Sequence, residues 1–204
     1  MLFHSTRGND SGKDFATVLM QGLADDGGLF MPDHWPQVDL EEIKSKTSFV
    51  DVAKCIVPLF TASSFSEDET IKIIEDTWHD FEHQDLIGIK TFNNVSILEL
   101  FHGPTAAFKD FGLQLAAAFF NQVLESENKT AIVLGATSGD TGPAAIDACK
   151  GFERIKSFIM LPNGNMSEVQ RRQMSTIDVK NIFALRINGT FDDCQDLVKH
   201  AFKQ

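Results

Sequence analysis

Several residue types are scarce in this sequence, and each scarcity excludes a class of protein. Only three cysteines occur, and they stand far apart in no C-x-x-C pair: Cys55, Cys149 and Cys194. A disulfide framework or a zinc knuckle needs more closely grouped cysteines, so neither is predicted, and a reducing cytoplasm is the expected compartment. Tyrosine is absent while phenylalanine occurs 18 times, which indicates that the aromatic residues mainly serve the core.

Positive charge and long apolar runs are also lacking. The 18 lysines and arginines face 29 aspartates and glutamates, which leaves a formal net charge of −11. This balance argues against a nucleic-acid or anionic-membrane partner, because both require clustered positive charge. No apolar run approaches the ~18 residues that span a bilayer, and the amino terminus has no apolar core segment. We therefore expect neither a membrane anchor nor an export signal.

The first part of the chain, residues 1–85, is predicted to form a mainly helical domain. Apolar residues recur at helical spacing in its short segments, and a glycine- and proline-rich stretch separates the first helix from the rest. One helix has a clear start signal, because Ser66 can cap it and three acidic residues follow in the first turn. The predicted helices cover 14–23, 40–46, 51–60 and a segment that begins after Ser66.

The pattern changes in residues 86–204, where strand-like and helical segments alternate. The predicted strands are 95–101, 130–136, 155–162 and 181–188, and the predicted helices are 109–124, 141–150, 167–177 and 190–202. This alternation favours an open, mostly parallel sheet covered by helices on both faces, a three-layer α/β fold that binds ligands at the carboxyl ends of its strands. Such a sheet normally has more than four strands, so we expect the chain to be the front part of a longer enzyme.

A glycine-rich loop, LGATSGDTGPAA (residues 134–145), joins one of these strands to the next helix. It lacks the lysine of a phosphate-binding P-loop, its glycine spacing differs from the dinucleotide fingerprint, and Ser138 is not placed as in a G-x-S-x-G elbow. Hydroxyls from Thr137, Ser138 and Thr141, with backbone amides, suit a small anion such as a carboxylate. The alternative is a tight turn that serves packing alone.

Lys109 stands between Phe108 and Phe111 where a helix is predicted to begin. A neutral lysine amine can attack a carbonyl to form a Schiff base, and desolvation or nearby positive charge would favour that neutral form. The alternative is an exposed first-turn lysine that pairs with Asp110. Residue chemistry alone favours the second interpretation.

Four segments together resemble threonine synthase of the longer bacterial and fungal type, a family of the pyridoxal-phosphate fold type II enzymes. They are ELFHGPTAAFKDFG (99–112), ATSGDTG (136–142), LPNGNMSEVQRRQM (161–174) and GTFDDCQDLVKHAF (189–202). The amino-terminal segments STRG, GLADDGGLFMP and FVDVA are similar to the helical cap domain of that family. The resemblance covers essentially the whole chain.

The resemblance implies a role for each candidate residue. Lys109 would form the Schiff base with pyridoxal 5'-phosphate, beside Phe108. Asp140 would lie near the 3' oxygen of the cofactor, where a shared proton and a coupled titration are expected.

The resemblance also assigns four residues of the glycine-rich loop to the α-carboxylate of the substrate: Thr137, Ser138, Gly139 and Thr141. No metal ligand is predicted. His102 precedes a Gly-Pro pair, and it is either close to the cofactor or a structural turn residue.

The implied reaction converts O-phospho-L-homoserine and water into L-threonine and phosphate. In the family, the loop for the cofactor phosphate and the stretch for the substrate phosphate come later in the chain, and neither occurs in these residues. Weak or no activity is therefore expected of this fragment alone. For the enzyme, either a monomer or a dimer is expected. Two alternatives remain open, namely a related phospho-lyase that releases 2-oxobutanoate and a non-catalytic fragment whose sheet edge is an interaction surface.

Overall fold

The structure is a computed structural model that describes residues 1–164 and 166–202. It divides into two compact units, Met1–His79 and a second unit that begins at Asp80. The functional division into 1–85 and 86–204 stays a prediction. Residues 203 and 204 of the predicted second domain lie outside the described part of the chain, as does residue 165 of the segment 161–174.

The first unit combines four helices with a small antiparallel sheet. The helices are α1 (Phe15–Gln21), α2 (Leu40–Ser45), α3 (Phe49–Thr61) and α4 (Glu67–Asp76), close to the predicted bounds. The strands are β1 (Phe3–Ser5), β2 (Ser11–Lys13) and β3 (Phe30–Pro32), in the order β2-β1-β3. The sequence does not predict these strands, because three residues are too few to show an alternating pattern.

The second unit opens with an antiparallel hairpin of β4 (Gly88–Phe92) and β5 (Val95–Glu99). The sequence places β5 in the parallel sheet, but among the described residues it pairs with β4. The signal for the hairpin is the two-residue turn Asn93–Asn94, in which Asn93 adopts a positive φ of 52° that asparagine tolerates. Several apolar side chains of the hairpin are half or more exposed: Ile89, Phe92, Val95, Ile97 and Leu98.

Three of the four predicted strands form the main sheet, and they are parallel, as predicted. The elements are α5 (Lys109–Ser126), β6 (Ala131–Ala136), α6 (Thr141–Cys149), β7 (Ile155–Pro162), α7 (Glu168–Ser175), β8 (Ile182–Ile187) and α8 (Phe191–Ala201). The order is β6-β7-β8, and Gly135 lies beside Ile159, which lies beside Ala184. All three strands therefore end at the same edge of the sheet.

The core of this unit lies around β7, the central strand. Ile155, Ile159 and Leu161 alternate along one face of β7 and are at most 4% exposed. Ile146 of α6 and Phe119 of α5 are at most 2% exposed. Each such side chain contributes roughly 1.5 to 3 kcal/mol through removal of apolar surface from water. The core thereby holds the carboxyl edge of the sheet, and the loops that start there, in one arrangement.

None of the helices in the described residues combines the length and apolarity that crossing a bilayer requires. Nor do these residues contain a group of three or more histidine, cysteine, aspartate or glutamate side chains arranged to hold a metal ion.

Candidate active site

Lys109 and Asp140 form an ion pair at the carboxyl edge of the sheet. The Nζ atom of Lys109 lies 2.9 Å from both carboxylate oxygens of Asp140, although 31 residues separate the two in sequence. The side chains are 27% and 47% exposed, respectively, so the pair is open to solvent on one side. The structure therefore brings the lysine amine to the glycine-rich loop, as predicted, and pairs it with Asp140 rather than with Asp110.

Phe108 contributes an aromatic surface next to this amine. The Nζ atom lies 4.4 Å from the centre of the Phe108 ring, which is within the range of a cation–π contact. Phe108 is 59% exposed, so its ring is accessible rather than part of the core. It also occupies the N-cap position of α5 and supplies no side-chain hydrogen bond to the helix.

Asp110, in the first turn of α5, stabilises the turn that precedes Lys109. Its carboxylate is fully buried and accepts hydrogen bonds from the backbone N–H of Thr105, at 2.9 Å, and from the Thr105 hydroxyl, at 2.5 Å. A Cβ on Gly103 would lie 2.5 Å from an oxygen of Asp110, so only glycine fits there. Ala106, in the same turn, has a positive φ of 57°. These contacts fix the point at which α5, and Lys109 with it, begins.

Thr137 points inward, under the glycine-rich loop. It is 4% exposed, and its hydroxyl oxygen accepts hydrogen bonds from the backbone N–H of Gly142, at 3.0 Å, and of Gly139, at 3.3 Å. A Cβ on Gly142 would lie 2.3 Å from the Thr137 methyl group. Thr137 therefore holds the loop in shape from below.

Ser138 and Thr141 are the exposed hydroxyl residues of the same loop. Among the described residues, neither their hydroxyls nor their backbone N–H groups have a hydrogen-bond partner. Gly139, between them, has open space where a side chain would be. Donors at a helix start with open space above them are suited to an anion. The predicted residues of this loop thus separate into a solvent-facing group and the inward-facing Thr137.

His102 belongs to a different cluster of side chains. Its Nε2 atom lies 3.2 Å from an oxygen of Glu99, whose other oxygen lies 2.6 Å from the Nζ of Lys90. The ring of His83 packs on His102 with centres 4.6 Å apart. The hydrogen bond from Lys90, and then that from His102, lowers the pKa of Glu99 below its usual value. These contacts support the structural interpretation of His102.

Two residues of α7, Gln173 and Met174, belong to the surroundings of the site although the sequence does not single them out. The side-chain amide of Gln173 donates to the Thr105 carbonyl at 3.0 Å. Met174 is 2% exposed and lies against Gly142, because a Cβ there would be 2.8 Å from its sulfur. Adjacent residues of one helix therefore contact the turn before Lys109 and the glycine-rich loop. No spacing in the sequence connects residues 105, 142 and 173, so only the fold reveals this contact.

Comparison with known proteins shows which family this chain resembles. Residues 2–78 match the family described as threonine synthase N terminus. The threonine synthase of Pseudomonas aeruginosa is 44% identical over 205 residues, which are 99% of this chain and 44% of that protein. The crystal structure of pyridoxal-phosphate-bound threonine synthase from Brucella melitensis is 40% identical and superposes on the whole chain with a TM-score of 0.94. Over its whole length, the chain is similar to the amino-terminal part of threonine synthases.

The chain covers only part of the length of each relative that it matches. The yeast threonine synthase structure also superposes on the whole chain, with a TM-score of 0.91 and 38% identity, yet the chain covers 43% of it. The chain thus spans less than half the length of the relatives that it matches. The predicted fold class is confirmed: an open α/β fold of the pyridoxal-phosphate fold type II enzymes with a mainly helical amino-terminal domain.

Proposed function

We propose that this chain is the amino-terminal part of a pyridoxal-phosphate-dependent threonine synthase, a lyase that converts O-phospho-L-homoserine and water into L-threonine and phosphate. The observation that carries the proposal is the Lys109 amine, which lies 2.9 Å from Asp140 beside the open glycine-rich loop. The matches to threonine synthases over the whole chain support it. The functional domains are 1–85 and 86–204 in this proposal.

The residues present suit the aldehyde end of the cofactor. A half-buried amine at the carboxyl edge of a parallel sheet, with an exposed aromatic ring at 4.4 Å, is a suitable nucleophile for a flat aromatic aldehyde. Pyridoxal phosphate, when bound, supplies that aldehyde and a ring that stores the electrons of a carbanion. Lys109, Phe108 and Asp140 are the cofactor-binding residues of this chain. In this proposal, the groups that bind the cofactor phosphate and the substrate phosphate belong to a later part of the enzyme than this chain.

Lys109 acts as the general acid and base of the proposed reaction. Its Nζ removes the proton from the substrate Cα and returns a proton at a neighbouring carbon, which requires one mobile amine within reach of several atoms. Asp140 accepts hydrogen bonds from Nζ with both oxygens and so limits where the amine can point.

The glycine-rich loop orients the substrate. Ser138 and Thr141 donate from their hydroxyls and N–H groups to the α-carboxylate of O-phospho-L-homoserine, and Gly139 leaves the space that the carboxylate needs. Thr137 belongs to the same site and acts by holding the N–H groups of the loop in place. We further propose a cytoplasmic enzyme, monomeric or dimeric, that has no nucleic-acid or membrane partner.

Covalent labelling of the full-length protein tests this function. Incubation with pyridoxal phosphate and then borohydride is expected to place a stable label on Lys109, which mass spectrometry of peptides detects. Lys109→Ala should lose both the label and turnover, because among the described residues no other amine is paired with Asp140. Lys129→Ala is the matched control, since Lys129 is an exposed lysine that pairs only with Glu127 among the described residues. Turnover retained in Lys109→Ala would overturn the assignment.

Product analysis decides between the proposed reaction and its close alternative. Threonine and 2-oxobutanoate are measured in the same reaction mixture with O-phospho-L-homoserine as substrate. Threonine as the main product supports the synthase, whereas 2-oxobutanoate would identify a phospho-lyase. No cofactor in the full-length protein would favour a non-catalytic role.

A further inference from the structure

Besides the packing of α5 against α6, which includes a hydrogen bond from Gln114 to Asp147, two connections join the turn before Lys109 to the loop that carries Asp140. The direct connection is the ion pair between the two side chains. The second connection runs through α7, which contacts the turn with Gln173 and the loop with Met174. Together the contacts link the Thr105 turn, α7 and the glycine-rich loop in one closed series of contacts.

The Gln173 contact reaches Lys109 through buried polar groups. Gln173 donates to the carbonyl of Thr105, and the N–H and hydroxyl of Thr105 donate to Asp110. Asp110 is fully buried and directly follows Lys109. A displacement of the Thr105 turn would therefore move the first turn of α5.

The Met174 contact reaches Asp140 through close packing. Met174 is 2% exposed and lies against Gly142, whose N–H donates to the Thr137 hydroxyl. Gly142 is in the first turn of α6, which Asp140 precedes. Because interiors are closely packed, α7 and this loop move together.

The two connections differ in when they are available. The ion pair is partly exposed, so solvent screens it and makes it a weak constraint. It is also lost whenever the Lys109 amine bonds to another group. The α7 connection uses neither the amine nor the Asp140 carboxylate, so it remains in place when the Lys109 amine bonds to another group.

We propose that Gln173 is a positioning residue, which keeps Lys109 at its distance from the Asp140 loop while the amine is engaged. This inference rests on the proposed function of Lys109. Gln173 touches neither Lys109 nor Asp140 and acts through the Thr105 turn.

The rate at which Lys109 is labelled tests the proposal in the full-length protein. Gln173→Met keeps the side-chain length and removes the donor, and Gln173→Glu replaces the donor with an acceptor. Val169→Ala is the matched control, because Val169 is 68% exposed on the same helix. Labelling with pyridoxal phosphate and cyanoborohydride is followed by mass spectrometry at a temperature where circular dichroism shows all variants folded.

Both Gln173 variants are expected to label more slowly, on the order of 10- to 100-fold, because a small displacement of a reacting group costs about that much in rate. The pH midpoint of the visible absorbance should shift with them, and Val169→Ala should behave as wild type. Wild-type labelling rates in both Gln173 variants, or an equal slowing in Val169→Ala, would overturn the proposal. Absence of label in the wild type would instead overturn the proposed function of Lys109.

Discussion

The two helices that start at the candidate site, α5 and α6, begin differently from the other helices that the structure describes. Six helices have an N-cap residue whose side chain accepts a backbone N–H of the first turn: Asp14, Asp39, Ser48, Ser66, Ser167 and Thr190. The N-cap residues of α5 and α6, Phe108 and Asp140, make no such hydrogen bond. Asp140 is a residue type that caps well, yet its carboxylate faces Lys109.

This difference shows that one residue type serves two purposes in the same chain. Away from the site, a short polar side chain at a helix start stabilises that helix. At the site, the capping function is taken over by Thr137, which accepts the Gly142 N–H from below the loop. Asp140 is thereby available to Lys109, and the donors of Ser138 and Thr141 face the open side of the loop.

The largest effect on stability is expected at the start of α6, where packing around Gly142 takes the place of a side-chain cap. Gly142→Ala would place a Cβ 2.3 Å from Thr137 and 2.8 Å from Met174, both of which are buried. We expect a loss of about 1 to 3 kcal/mol in the free energy of unfolding, measured by urea denaturation of the full-length protein, because overpacking forces neighbours to move.

The matched control for that substitution is Gly139→Ala. Gly139 lies in the same loop, and a Cβ added there would have no neighbouring heavy atom within 4 Å. The variant should keep wild-type stability while its affinity for O-phospho-L-homoserine falls, since the methyl group enters the space assigned to the α-carboxylate. Equal destabilisation by the two alanines would show that the loop does not separate packing from binding.

A cap substitution away from the site should have an intermediate effect on stability. Ser66→Ala removes a capping box in which Ser66 and Glu69 exchange hydrogen bonds at the start of α4. The expected cost is about 1 kcal/mol in the free energy of unfolding. Turnover measured below the unfolding transition should not change, and a loss of turnover there would contradict the division of roles.

Asp140→Asn should do the opposite of Ser66→Ala: it should leave stability nearly unchanged and alter the behaviour of the site. The substitution removes no helix-capping hydrogen bond, and the ion pair that it breaks is partly exposed, so unfolding should change by less than about 1 kcal/mol. The pH titration of visible absorbance in the full-length protein with pyridoxal phosphate should shift, because a charge next to the cofactor is lost. An unchanged titration curve would argue against a position beside the cofactor.

The smallest effect concerns another lysine–carboxylate pair of the second unit, Lys90 with Glu99. Hydrogen bonding to Lys90, then to His102, lowers the pKa of Glu99 in the folded state from its usual 4.5. The stabilisation is therefore present above about pH 4.5 and is lost as the pH falls through the lowered folded value. Glu99→Gln should be less stable at neutral pH and should lose less stability on acidification. Urea denaturation at a series of pH values from about 3 to about 7, which spans the usual carboxyl pKa, measures both differences.

Most of the second unit follows from local sequence patterns. The strands at 131–136, 155–162 and 182–187 are apolar runs between helical segments, and their starts and ends are predicted to within a few residues. The three short strands of the first unit and β4 escape prediction, because three to five residues with exposed or mixed side chains carry little periodic signal. Long, regularly patterned elements are predictable because the same apolar pattern recurs several times along each of them.

The candidate site is predictable in part. The resemblance singles out Lys109 and the glycine-rich loop, and the structure brings them together. Residue types alone favour the pairing of Lys109 with Asp110, which is buried and bonded to Thr105 instead. Gln173 escapes prediction because a glutamine that reaches a carbonyl 68 residues away leaves no pattern in the sequence.

By itself, the sequence determined the succession of strands and helices and the positions of the lysine and the glycine-rich loop, because periodicity, helix signals and turn residues act over a few neighbouring positions. Only the tertiary structure decided which carboxylate meets the amine, which threonine turns inward and which helix joins the two loops. Those choices depend on distances between residues that are far apart in the chain. The packing of the sheet sets those distances.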